Sequence, residues 1–219
     1  MGGVPLEEVV FPGLVRSDLP NVGLAVGDPG NCDAEILAGA DRHVVPYGVE
    51  DTMLTGDCEV VRATPEDIGG ILDLQKRNQP ESGGTLSARL PREWLEAAVA
   101  DMPVTVAPRN GRVVGYLISA SREAYAGVPV VAAMLRAYPG AAPDAYVYGP
   151  VCVAEEARGR GMAAAMFAAL RERLSGREGI LFIPRDNAAS LRAHARMGMR
   201  EVAGFAQGGA EMAVLASVG

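Results

Sequence analysis

The chain has 219 residues, 49% of them hydrophobic, and a formal net charge of −7. That is apolar material for one core, and no apolar run approaches the roughly 18 residues of a membrane span, so no membrane partner is expected. Cys32, Cys58 and Cys152 are odd in number with no close pair, which argues against a disulfide framework and a zinc site and for a reducing cytoplasm.

Residues 1–57 hold nine glycines and five prolines without a sustained period of 3.6 or 2, and read as an irregular N-terminal extension packed on the core. Within it only "DAEILAGA", from Asp33, has the look of a short helix. The pattern changes at residue 58, where a domain running to residue 219 begins. "CEVVRA" reads as a strand. "TPEDIGGILDLQKRN" reads as a helix with Thr64 as N-cap and Pro65 at its first position, despite the Gly69-Gly70 pair. After the loop "NQPESGGTLS" comes a second helix, "PREWLEAAVADM". The strands "PVTVA" and "RVVGYLISA" follow, joined around Asn110-Gly111, a hairpin signal. "GVPVVAAMLRAYPG" is a third helix, with Val131, Met134, Leu135 and Tyr138 on one face.

A strand, "YVYGPVCV", then leads through "AEEA" into "RGRGMA" and a helix with Ala163, Phe167, Leu170 and Leu174 on one face. "GILFIP" is a short buried strand, "NAASLRAHARMG" a helix stopping at Gly198, and "EVAGFA" with "AEMAVLAS" a closing hairpin. Residues 150–200 carry nine arginines against five acids, a basic stretch in an acidic chain. Either a local anionic ligand or a solvated charge pattern accounts for it; a nucleic-acid surface would need a wider basic face.

The segment "RGRGMA" asks why two glycines and two arginines stand where a strand hands over to a helix. The first N–H groups of a helix are unpaired and sit at its positive dipole end, a natural phosphate seat. Gly159 and Gly161 let backbone approach closely, and Arg158 and Arg160 add charge. The third glycine of a dinucleotide-binding GxGxxG is missing. A GxxxxGK[ST] phosphate loop is ruled out, since Lys76 is the only lysine. A tight turn with no ligand remains the alternative for the segment taken alone.

Arg158-x-x-Gly161-x-Ala163 after "VCVAEEA" resembles the acyl-CoA motif of the GNAT acetyltransferase superfamily, and Asn187, Ser190, His194 and Gly198-Met199 resemble its closing helix. The order of elements from residue 58 onward is similar as well, apart from a longer connection at "AGVPVVAAMLRAYPGAAPD". The resemblance implies an α/β (mixed α+β) fold, a mixed, mostly antiparallel sheet flanked by helices. It implies acetyl-CoA as co-substrate and a small-molecule or peptide amine as acceptor, acetylated by direct attack in a ternary complex. Cofactor contacts are implied at Val151, Cys152, Val153, Arg158, Gly159, Arg160, Gly161, Met162, Ala163, Asn187 and Ser190. The pyrophosphate would rest on the 158–163 backbone and the pantetheine beside Val151 and Val153, where an N–H would stabilise the oxyanion.

For catalysis the resemblance points to His194, where the family commonly has a tyrosine that protonates the leaving thiolate; simple packing of the ring is the alternative. Glu81 and Tyr148 are candidates for the base by topology, against a solvated loop acid and a core tyrosine. Asn187 reads equally as a helix N-cap, and Cys152 as a small buried side chain. Residues 120–145 and 1–57 are expected to border the acceptor pocket and not the CoA site. A second reading keeps the CoA site in a catalytically weak sensor or partner protein. No metal and no nucleic acid are expected, and a homodimer stays open.

Overall fold

The computed structural model describes residues 53–55, 58–125 and 127–217. Its strands are β1 (Met53–Thr55), β2 (Cys58–Arg62), β3 (Thr105–Arg109), β4 (Arg112–Ser121), β5 (Tyr146–Val153), β6 (Gly179–Pro184), β7 (Arg200–Gln207) and β8 (Ala210–Ser217). The α-helices are α1 (Ile68–Arg77), α2 (Arg92–Asp101), α3 (Pro129–Ala137), α4 (Met162–Arg173) and α5 (Ala188–Arg196). The strands form one sheet in the order β1-β2-β3-β4-β5-β6-β8-β7. Every neighbouring pair is antiparallel except β5–β6. This is the mixed, mostly antiparallel sheet with flanking helices that the sequence implied.

Most elements fall where their residues place them. Asn110 (φ 51°) and Gly111 (φ 72°) turn the β3–β4 hairpin with two positive φ angles, as such a two-residue loop requires. Three differences have local causes. Met53–Thr55, read as part of the extension, pair with β2; the rest of that extension and its helix near residue 33 lie outside the described residues. The helix expected from Pro65 begins with a 3₁₀ turn, Pro65–Asp67, and the Thr64 N–H donates to Asp67 Oδ2 at 2.8 Å. The buried stripe of α4 runs through Met162, Ala165, Met166, Phe167, Ala169 and Leu170 instead of Ala163, which is half-buried.

The glycine pair inside α1 has a packing reason. A Cβ on Gly70 would come within 2.6 Å of Val113 Cγ2, so only glycine lets α1 lie this close to β4. α2 also packs on β4, α4 covers β1 to β5, and α3 sits against β6 and β7. The far end of the long connection is tied down by Glu178, whose carboxylate accepts Tyr138 Oη at 3.0 Å and the Ala142 N–H at 2.7 Å. Among the described residues no helix is long and apolar enough to cross a membrane.

Candidate active site

The sheet opens at β5. Along one edge β5 pairs with β4, with a bulge in which Gly149 and Pro150 face a single residue, Ile118, between the pairs Ser119↔Tyr148 and Leu117↔Val151. Along the other edge it pairs with β6 only at Tyr146↔Gly179 and Val147↔Ile180, while β6 stays paired with β8 as far as Pro184. From Tyr148 onward the β6-side edge of β5 is therefore unpaired by strand.

Backbone geometry says which groups line that opening. The Ala154 N–H donates to Val114 O at 2.8 Å, toward β4. Peptide planarity then turns the Val153 C=O the other way, and strand alternation puts the N–H and C=O groups of both Val151 and Val153 on the open edge. Cys152, set among the cofactor contacts by the resemblance, turns its backbone to β4 opposite Tyr116 and buries its side chain. Burial pushes its thiol up to about 12, so it is no nucleophile at neutral pH.

At the end of β5 the chain makes a 3₁₀ turn, Glu155–Ala157, and reaches the start of α4. Gly159 and Gly161 both have φ 73°, and Gly161 is the N-cap. The first backbone bond of the helix runs from Ala165 N to Gly161 O at 2.9 Å, so the N–H groups of Met162, Ala163 and Ala164 have no acceptor within the helix. A Cβ built on Gly161 meets no atom within 4 Å, so the space beside this residue is open. Arg160 is exposed beside it, while the Met162 side chain belongs to the core. A bare, glycine-capped helix start with an open approach and an adjacent cation fits a pyrophosphate.

Arg158 has a different task. Its Nε donates to Val153 O at 3.1 Å and its Nη2 to Asn78 Oδ1 at 2.7 Å. The guanidinium thus ties the start of the cradle to the end of β5 and to the end of α1. Asn78 is itself buried, with Nδ2 donating to Leu74 O at 2.9 Å.

On α5, the Asn187 side chain accepts the Ser190 N–H at 3.0 Å, an N-cap. Ser190 and His194 are buried. His194 Nδ1 lies 2.8 Å from Ser190 O. A carbonyl can only accept, so Nδ1 carries the proton and Nε2 the lone pair. Nε2 is buried without a protein partner among the described residues. Burial lowers the imidazole pKa to about 4, partly offset by the Ser190 bond. The ring is therefore neutral near pH 7, and its free nitrogen is a proton acceptor. This departs from the proton-donor role that the resemblance gave His194.

Tyr148, the first β5 residue beyond the β6 pairing, stands edge to face with His194 at 5.6 Å and with Phe167 at 5.4 Å between ring centroids. Its Oη is also buried and unpartnered, and burial raises its pKa far above the usual phenol value. A phenol held protonated this firmly is a hydrogen-bond donor and no base. Glu81 is exposed and ion-paired with Arg89, and its neighbours Ser82 to Gly84 line an open cleft with Glu155, Glu156 and Arg158. It accompanies the cradle and has no contact with Tyr148 or His194.

Two residues that the sequence reading did not single out belong to this region. One is Asn78, 80 positions from the arginine it holds. The other is Tyr125, whose Oη donates to Gly149 O at the bulge at 3.2 Å while its ring lies 4.9 Å from that of Trp94. Asn78 reads as a loop residue and Tyr125 as part of a connection; no local spacing links either to its partner.

Comparison with known proteins agrees with this geometry. The sequence model described as the acetyltransferase (GNAT) family matches residues 69–199. A search of curated proteins finds no matching sequence. Among solved structures, an acetyltransferase of the GNAT family from Streptococcus agalactiae superposes with TM-score 0.57 at 14% identity, over 76% of this chain and 98% of its own. The yncA protein of Salmonella typhimurium, solved with its cofactor acetyl-CoA, gives 0.55 at 18% identity, over 74% and 94%. A ribosomal-protein-alanine N-acetyltransferase from Brucella melitensis gives 0.52 at 25% identity, over 73% and 98%. The match spans more than half of the chain, and the protein belongs to the GNAT family of acetyltransferases, which use acetyl-CoA as co-substrate.

Proposed function

We propose that this protein transfers the acetyl group of acetyl-CoA to an amine by direct attack in a ternary complex. The observation that carries the proposal is the opening of β5 from β6 immediately before a glycine-capped helix start. The pyrophosphate is assigned to the amides of Met162 to Ala164 with Arg160 beside them. The pantetheine is assigned to the edge of Val151 and Val153, and the developing oxyanion to the Val151 N–H. Asn187 caps α5, Ser190 holds the His194 ring, and Gly159 and Gly161 shape the cradle.

The acceptor is a small-molecule or peptide amine. A peptide amine is supported by the likeness to the ribosomal-protein-alanine N-acetyltransferase, and a small amine by the segment that leads into the long connection, whose Tyr125 is hydrogen-bonded to Gly149 O at the bulge. Incubating the protein with acetyl-CoA and panels of amines, amino acids and peptides, and reading products by mass spectrometry, tests the proposal. Acetylated product with release of free CoA is expected.

A second reading, a CoA-binding sensor with weak catalysis, is favoured by one observation: His194 offers a lone pair where a proton donor would serve the leaving thiolate. Tight acetyl-CoA binding without turnover across all panels would select it.

A further inference from the structure

The open edge of β5 would present a proline where an amide donor is needed, were the strand regular. The Tyr146 N–H donates to Glu178 O at 2.9 Å, on the β6 side. Strand alternation keeps Tyr148 on that side and would bring Pro150 there next, a residue with no N–H. The bulge changes the count. Gly149 and Pro150 together face Ile118, so the alternation advances by one residue and Val151 takes the open edge in place of Pro150. The amide assigned to the developing oxyanion owes its place to the bulge.

The bulge is held from outside the sheet. Gly149 has φ 102°, a backbone that favours glycine, and its carbonyl accepts a hydrogen bond from Tyr125 Oη at 3.2 Å. Tyr125 stands beyond the end of β4, in the segment leading to α3, and is fully buried. Its ring lies 4.9 Å from that of Trp94 on α2. Burial raises its pKa far above the usual phenol value, so the hydroxyl keeps the proton that it donates to Gly149. A buried carbonyl left without a donor is costly, so loss of this hydroxyl would drive the bulge toward another arrangement.

We propose that Tyr125 is a positioning residue for acetyl transfer: through Gly149 O it fixes the bulge, and through the bulge the direction of the Val151 N–H. It acts on the reacting carbonyl at second hand, by way of the β5 backbone. This deepens the assignment of the oxyanion to Val151 made above and rests on it. The connection between β4 and β5 then serves the reaction through Tyr125, as well as covering β6 and β7 through α3.

The test reads the thioester itself and needs no acceptor. Acetyl-CoA carrying ¹³C at its thioester carbonyl is bound to the full chain, and isotope-edited infrared spectra give the C=O stretch. A donor at the oxygen lowers that frequency, so in the parent the bound band should lie below that of free acetyl-CoA. Tyr125→Phe keeps the ring beside Trp94 and removes the donor. The band should return most of the way to the free value, while calorimetric affinity for acetyl-CoA stays close to the parent's. Tyr116→Phe is the control: it removes another buried phenol hydroxyl, one with no hydrogen-bond partner among the described residues, and should leave the band in place. An unmoved band in Tyr125→Phe, or an equal shift in both variants, overturns this inference alone. A parent band at the free value overturns the oxyanion assignment with it, and absence of acetyl-CoA binding overturns the proposed function as well. Gly149-Pro150 is the only Gly-Pro pair in the chain, so ¹³C-glycine with ¹⁵N-proline marks the Gly149 carbonyl in the unaltered protein. Its chemical shift should be that of a hydrogen-bonded carbonyl. An unbonded shift overturns the inference even where Tyr125→Phe fails to fold.

Discussion

Arg158 Nη2 and Asn78 Oδ1 meet at 2.7 Å, joining the start of the phosphate cradle to the end of α1. The contact is half-buried and charge-assisted, so removing one side leaves a donor without its partner. Asn78→Ala is expected to cost about 1–3 kcal/mol in urea denaturation. It should also weaken acetyl-CoA binding in calorimetry, because Arg158 then loses its hold at the end of β5. Unchanged stability and affinity would show that the clasp does nothing for the cradle.

Gly161 tests the seat itself. Its φ of 73° strains any other residue by about 1–2 kcal/mol. Its Cβ direction points into open space. Gly161→Ala should therefore fold, and place a methyl where the phosphates are assigned. Gly176, with φ 79° and equally open surroundings, is the control. Both alanine variants should lose similar stability, and only Gly161→Ala should lose acetyl-CoA affinity. Equal affinity in the two would remove the pyrophosphate from this helix start.

Tyr148→Phe removes a buried hydroxyl with no protein partner. Because the unpaired group is costly in the ligand-free protein, the variant should be as stable as the parent or more stable by about 1 kcal/mol. If the hydroxyl serves the proposed reaction as a donor, acetyl transfer should fall. A variant that is both less stable and equally active would make Tyr148 a core residue only.

The β3–β4 hairpin and the glycine-bearing start of α4 were legible because they are written locally. Asn110-Gly111 needs two positive φ angles, and Gly159 and Gly161 need them again at the helix start. The neutral state of His194 was not legible, because it depends on Ser190 O and on the burial that α5 acquires only when packed. Nor was the employment of Arg158. In the chain it stands beside Arg160 as a second phosphate ligand, and only the fold shows its guanidinium already bound to Val153 and Asn78. Ala163 was taken for the core because it fits a helical period, but the buried stripe is rotated so that Met162 and Met166 meet β4 at Gly115.

His194 also makes stability depend on pH. Its folded pKa, about 4, lies below the ordinary 6.5. Above 6.5 the ring is neutral folded or unfolded, and its contribution is full. As pH falls below 6.5 the unfolded chain takes up the proton first, and stability is lost until about pH 4, where the folded ring protonates too. The total is about 3 kcal/mol at 1.36 kcal/mol per unit. Denaturation midpoints measured from neutral to acid pH should show this loss, and His194→Phe should flatten it; an unchanged slope would mean the ring titrates normally.

Glu81 is 65% exposed at its side chain, and its pairing with Arg89 is a surface contact. Glu81→Gln should change stability by less than about 1 kcal/mol. It should leave the pH dependence of acetyl transfer unaltered, since the carboxylate has no contact with the opening. Loss of the acidic limb of that profile, where protonation of a base cuts activity, would make it the base.

The segment from Leu86 to Leu90 pairs with no strand, yet its backbone is held as firmly as if it did. Gln75 receives the Leu90 N–H at 2.9 Å and donates to Leu90 O at 3.1 Å. Gln79 donates to Ala88 O at 3.4 Å and accepts Arg89 Nη1 at 2.8 Å, and Asn78 O takes the Leu86 N–H at 2.9 Å. Gln75 on α1, with Asn78 and Gln79 just past its end, thus imitates a neighbouring strand. Length is therefore free on one side of this segment and fixed within it. Residues added near the exposed Ser82-Gly83 would loop out over the cleft beside the cradle, and their chemistry could vary without disturbing the sheet. A single residue added between Leu86 and Leu90 would move Leu90 away from Gln75 and undo both bonds at once.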